Sequence, residues 1–283
     1  MKNKLGSITP KDILLCADDY AQNTAISTGI LTLAEAGRIN AISCLVNSAV
    51  FDETHAELLA FKPKCFIGLH LNLTMGQPRS AVWRTHMGEM FVGLPRLIRN
   101  AYFHRLELSV VQAELQAQLD VFVNTMHCYP DFIDGHQHIH QFPVVRTALI
   151  NIYRAQKIHC FLRNTHTSWS QSFKLRGLPK RPLLSALGGS RFKNILIQLA
   201  IPANTSFSGM YTFARAQNYR SYFKRFLDET MSGGLIMCHP GVLSSDQDDP
   251  LAYSRPYEQA YLMSDNFLHD MRSASCQLML KTR

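Results

Sequence analysis

The sequence predicts an α/β protein built as a barrel-like (β/α) domain, and three observations lead there. Short apolar runs alternate with amphipathic stretches of helical period, the pattern of a parallel sheet with helical crossovers. Run after run ends in a side chain able to bind or catalyse: Asp18 and Asp19, Asn47, His70, His136, Arg163 and His239. Barrel sites gather at the C-terminal ends of their strands. No GxGxxG or Walker loop occurs, which removes the main support for a doubly wound nucleotide binder.

The elements follow in order. Lys11–Ala17 is a buried parallel strand stopped by Asp18-Asp19. Asn23 caps a helix to about Gly37, striped by Ile26, Ile30, Leu31, Leu33 and Ala34. Ile39–Val46 is the second strand, Val50–Phe61 a helix and Cys65–Leu73 the third strand. Residues 76–107, broken by Gly76, Pro78, Gly88, Gly93 and Pro95, read as an irregular insertion over the site. Leu108–Met126 is an amphipathic helix, and Asp131–His140 is expected to stay extended as strand four. Val144–Gln156 is helical, and Ile158–Leu162 is a strand ending in Arg163. A second irregular insertion covers 164–188. Then come a helix at Ser190–Ala200, a strand at Ser206–Phe213, a helix at Tyr219–Met231 and a strand at Gly234–Cys238. A polar loop over 242–254, one helix from Arg255 to about Arg272 and a last strand or tail at Cys276–Leu280 complete the chain. No linker or repeat divides it, so 1–283 reads as one domain with a core over about 11–272.

The 283 residues suffice for a sizeable core. The net charge of +8 is spread along the chain, with no basic block of the kind that forms a nucleic-acid tail, so no nucleic-acid partner is expected. Seven cysteines, an odd number with no CxxC pair, read as free thiols in a reducing compartment. No signal peptide and no spanning apolar run is recognisable, and a cytoplasmic location is the expectation.

Asp19, His70 and His136 are candidate ligands for one divalent metal, since two imidazoles and a carboxylate leave positions for water. Taken singly, Asp18-Asp19 also reads as a capping pair ahead of the Asn23 helix, and His70 as a core imidazole. Their recurrence at equivalent strand ends favours the metal. Asp19 is assigned to the metal and Asp18 to the base that takes a proton from water, with the exchange of roles left open. His239, in a Cys-His-Pro-Gly turn, is the candidate acid for a leaving group; a plain turn histidine is the alternative. Arg163 would orient Asp18, bind substrate or form a salt bridge. If Asp131–His140 is extended, Asp134, His136, His138 and His140 share one side. His138 and His140 then support His136 or face solvent.

Four ordered motifs carry a family resemblance. Ala17-Asp18-Asp19-Tyr20, Gly68-Leu-His70-Leu-Asn72-Leu-Thr74, Asp134-Gly-His136-Gln-His138-Ile-His140 and His239-Pro-Gly241 resemble the YdjC-type carbohydrate deacetylases, which include chitooligosaccharide and hopanoid-biosynthesis-associated members. The likeness runs from about Ile13 to Leu262, with Arg255-x-x-Glu258 similar to a late Arg–Glu element. Tyr20-Ala21 stands where the family more often has Phe-Gly. The resemblance implies a deformed (β/α) TIM-like barrel that removes acetyl from an N-acetylated sugar or glycolipid-type substrate. It implies a divalent metal on Asp19, His70 and His136, magnesium first with zinc the alternative from ligand type, and a homodimer. Asp18 or Asp19 would handle the proton, with His239 as the late histidine. Asn47, Asn72, Asp134, His138, His140, Arg163 and Arg255 are the candidate substrate-binding or ligand-supporting residues.

Two other functions fit parts of the pattern. His136-Gln-His138 is an HxH pair of the sort a binuclear metal amidohydrolase uses on cyclic amides or nucleobases, although here it lies in mid-chain. A basic, non-catalytic glycan or nucleic-acid binding module would fit the charge but not the clustered histidines.

Overall fold

The structure is a computed structural model that describes residues 9–166, 185–244, 246 and 249–281. Its centre is a curled parallel sheet. The strands are β1 (Lys11–Tyr20), β2 (Ala41–Cys44), β3 (Phe66–Leu71), β4 (Phe132–Gly135), β5 (Phe161–Leu162), β6 (Phe207–Ser208), β7 (Gly234–Cys238) and β8 (Cys276–Leu278). Their order is β5-β4-β3-β2-β1-β7-β6, and β8 pairs with the start of β1. All the described ladders are parallel. This is the expected deformed barrel. No ladder joins β5 to β6 among the described residues; instead the Asn204 carboxamide accepts from the Asn164 amide at 2.7 Å and donates to its carbonyl oxygen at 2.9 Å.

Helices cover the outside: α1 (Thr24–Glu35), α2 (Ala49–Phe61), α3 (Ala81–Met87), α4 (Leu94–Tyr102), α5 (Leu108–Met126) and α6 (Val145–Ala155), followed by Ser190–Gln198, Tyr219–Glu229, Arg255–Met263 and Asp265–Ser273. Asn23 caps α1 through a 2.9 Å bond from the Ile26 amide, as its sequence position predicts.

Strand alternation separates two cores. Ile13, Leu15 and Ala17 point to the large outer core beneath the helices, while Leu14 and Cys16 join Ala41, Phe132, Leu235 and Met237 in a small inner core. The inner rows continue past the apolar layer into polar residues: Leu14-Cys16-Asp18 on β1, Ala41-Ser43 on β2, Phe132-Asp134 on β4, and Leu235-Met237 on β7 with His239 just after its end. Register holds the rows level, with His70 beside Asp134 and Ala17 beside Cys238. The barrel is thus filled by apolar side chains at one end and by ionisable ones at the other. Gly68 makes this possible, because a Cβ there would lie 2.3 Å from the Phe132 ring, itself stacked on Phe161 at 5.1 Å.

Three expectations are corrected. Residues 76–107 are not irregular throughout: α3 and α4 occupy half of the segment, and Gly93 with Pro95 marks a helix start. The helix expected from Arg255 to Arg272 breaks at Ser264, whose extended ψ of 161° ends one helix and begins the next. Asp131–His140 does not stay extended. β4 ends at Gly135, and a 3-10 segment follows over His136–Gln141, with Gln137 and His138 at φ of 53° and 61°. Most of the second insertion, residues 167–184, lies outside the described residues.

Candidate metal and catalytic site

The site grows from the polar end of the inner rows. At the close of β1 the register shifts, and Asp19 takes a φ of 70°. That left-handed conformation is uncommon for a non-glycine residue and concentrates at functional sites. Asp18 and Asp19 are both almost wholly buried and find different partners.

Asp19 faces the histidines. Its Oδ1 lies 2.9 Å from His136 Nδ1 and 3.4 Å from His70 Nε2. Its Oδ2 accepts from Arg255 at 2.9 Å. Burial opposes ionisation of Asp19, but His136 and Arg255 override it and hold the carboxyl well below the usual range. Arg255 is itself fixed by Asp249, whose carboxylate accepts from Nε at 2.6 Å and from an Nη at 3.1 Å.

His70 is aimed from behind. Its Nδ1 lies 2.6 Å from Asp134 Oδ1 and 2.9 Å from Ser43 Oγ, while Ser43 donates to the same carboxylate oxygen at 2.6 Å. Nε2 is left facing Asp19. Burial disfavours an imidazolium here, yet the flanking carboxylates, Asp134 foremost, raise the His70 pKa to about 10. One ligand atom each from Asp19, His70 and His136 lies within 4.8 Å of the other two. Two imidazoles and a carboxylate, converging with the far atoms of His70 and Asp19 already bonded, fit one divalent ion.

Asp18 is clamped by Arg163, which donates to both carboxylate oxygens at 2.6 Å. Arg163 also approaches Asp134 Oδ2 at 2.5 Å. Burial pushes the Asp18 pKa up, but the guanidinium wins and holds it well below the usual carboxylate range. Arg163 is thus the orienting partner of Asp18 and is fully buried.

The remaining predicted residues divide. His239 lines the same cavity as Asp18, Asp19, His70 and His136. Its amide donates to Glu258 at 2.7 Å, and its ring meets Phe213 edge-on at 5.4 Å. Asp134, His136, His138 and His140 do not share one side. His138 reaches the cavity against Phe207 (ring centroids 5.6 Å), and burial keeps its ring neutral by holding its pKa well below the ordinary value. His140 turns inward, its Nε2 2.9 Å from the Arg163 carbonyl oxygen, and burial lowers its pKa to about 4. Among the described residues, no group of three or more possible ligands with atoms within 4.8 Å of one another contains both His136 and His138. Asn47 and Asn72 stand outside the cavity lining: the Asn72 amide nitrogen donates to Asn47 Oδ1 at 3.0 Å and to the Met75 carbonyl at 2.8 Å, which fixes the turn after β3.

Sequence reasoning missed Ser43 and Asp249. Ser43 sits in the apolar Ala41–Cys44 run and Asp249 in a polar loop, so neither carries a local signal. Pairing β2 with β3 beforehand would have found Ser43, because register sets it beside Gly68, two residues before His70.

The comparisons agree with this architecture. A chitooligosaccharide deacetylase from Proteus mirabilis (strain HI4320) is 31% identical over 140 residues, 46% of this chain and 50% of that protein. A carbohydrate deacetylase from Danio rerio is 31% identical over 152 residues, 50% of this chain and 45% of that protein. The chain therefore spans about half the length of these relatives. The fold matches a crystal structure from Enterococcus faecalis V583, provisionally described as a cellobiose-phosphate cleavage protein, at a TM-score of 0.73 with 18% identity, over 96% of this chain and 97% of that one. The profile described as YdjC-like protein matches residues 12–273, and the chain belongs to the YdjC-like family.

Proposed function

We propose that this protein is a divalent-metal-dependent hydrolase that removes acetyl groups from N-acetylated sugars. The observation that carries the reading is the convergence of Asp19, His70 and His136 in one cavity with Asp18 and His239. The deacetylase relatives support the substrate class.

Asp19, His70 and His136 would hold the ion, with magnesium the first candidate from the family resemblance and zinc the second from ligand softness. A bound divalent ion supplies Lewis acidity, which polarises the acetamide carbonyl and makes water a nucleophile near neutral pH. The chain's own residues do the rest. Asp18, kept ionised by Arg163, accepts a proton from the attacking water. The His239 ring gives a proton to the amide nitrogen, which leaves as an amine only when protonated. Asp134 and Ser43 hold His70 in one orientation, and Arg255 does the same for Asp19. Acetate and a free amino sugar are the products.

The test is acetate release from a panel of small N-acetylated glycans with magnesium or zinc added. Release that disappears with a chelator supports the reading. A metal-loaded chain that releases no acetate from any of them contradicts it.

A further inference from the structure

Next to the candidate metal ligands lies a second convergence of ligand-type atoms, and a guanidinium fills it. Cys16, Asp18 and Asp134 each offer one atom within 4.8 Å of the other two. All three residues are buried, and Asp18 also lines the cavity. Cys16 and Asp18 are alternate residues on the inner row of β1, and Asp134 belongs to the inner row of β4.

Arg163 Nη2 occupies the convergence. Its N–H bonds point at Asp18 Oδ1, 2.6 Å away, and at Cys16 Sγ, 3.1 Å away. Asp134 Oδ2 lies 2.5 Å from the same nitrogen but makes no aligned hydrogen bond to it. An NH2 group has two hydrogens, so the third atom is held by charge alone. The two-point fork between Arg163 and Asp18 does not require Cys16 or Asp134; the three together surround Nη2 as ligands surround a cation. Burial opposes the charge on Arg163, but Asp134 and then Asp18 hold its pKa well above the ordinary value. Asp134 also serves the neighbouring group, since its Oδ1 meets His70 Nδ1.

We infer that the Arg163 guanidinium stands in a second cation position, and that its presence limits the centre to one metal ion. The inference rests on Asp19, His70 and His136 as the ligands of that ion. Without the guanidinium, Cys16, Asp18 and Asp134 would take a divalent ion such as zinc or cobalt(II), because a thiolate suits these and not magnesium. Cys16 would give its proton to solvent as the metal–sulfur bond forms.

Arg163→Ala, equilibrated with zinc and gel-filtered, is expected to carry two ions per chain against one in the parent. Arg163→Lys, which keeps a cation, is expected to carry one. Cobalt(II) should give Arg163→Ala a thiolate charge-transfer band in the near ultraviolet that the parent lacks. Cys16→Ser in the Arg163→Ala background should remove the band, and free guanidinium below denaturing concentration should suppress it by refilling the position. A folded Arg163→Ala with the parent's zinc count, or without the band, overturns the inference. If Arg163→Ala does not fold alone, folding restored by zinc or guanidinium but not by magnesium supports the inference, and no rescue by either overturns it. A parent that takes up no ion refutes the Asp19, His70 and His136 ligand set, and the cobalt band still decides the Arg163 position.

Discussion

His70 Nδ1 lies 2.6 Å from Asp134 Oδ1, and the same carboxylate reaches Arg163, the partner of Asp18. One buried acid therefore aims a candidate metal ligand and also touches the arginine that holds the candidate base. Asp134→Asn is expected to weaken divalent-metal affinity by about 10–100-fold, the usual effect of losing a carboxylate behind a ligating imidazole. Ser43→Ala, which removes one bond to that carboxylate, should weaken it less. Isothermal titration with magnesium and zinc measures both, and unchanged affinity in Asp134→Asn would refute the aiming role.

The Asp18–Arg163 pair sets an acid limb of stability. The folded pKa of Asp18 is depressed, so its contribution is present above the unfolded value of about 3.9 and is lost as pH falls through the folded one. Asp18→Asn leaves a buried guanidinium without its carboxylate and should cost about 3–5 kcal/mol at neutral pH. The mutant should also lose less stability than the parent between pH 5 and pH 3. Urea unfolding at several pH values reads both effects, and parallel pH profiles would count against the pair.

His239→Gln keeps a polar side chain but removes the ring that would give the proton. It is expected to lower kcat by about 10²–10⁴-fold while metal content stays that of the parent. Equal loss of metal and activity would assign His239 a structural part instead.

Gly68→Ala tests the inner row that positions His70. The added methyl meets the Phe132 ring, which cannot swing aside because it is buried and stacked on Phe161. A loss of about 1–3 kcal/mol is expected, read as a lower Tm, with His70–Asp134 register disturbed and metal affinity reduced.

Much of the sheet and the grouping of Asp19, His70 and His136 were legible because strand period and strand ends are local properties. Asp19, His70 and His136 each close or follow an apolar run, and the barrel rule brings those ends together. The spacing of His136, His138 and His140 misled, because a period of two is also compatible with a 3-10 segment once Gln137 and His138 adopt positive φ. Backbone conformation at those two residues has no glycine to announce it. Gly93 and Pro95 were read as breaks when they begin α4. Ser43 and Asp249 were invisible because their roles arise from register and from a loop folding back on Arg255.

Asp19, His70 and His136 are proposed to grip one shared divalent ion. Elemental analysis of the chain after equilibration with magnesium or zinc and gel filtration tests it, alongside Asp19→Ala, His70→Ala and His136→Ala checked for folding. One ion per chain in the parent and a large loss in each variant are expected. Two ions per chain, none, or full retention in any folded variant would contradict it.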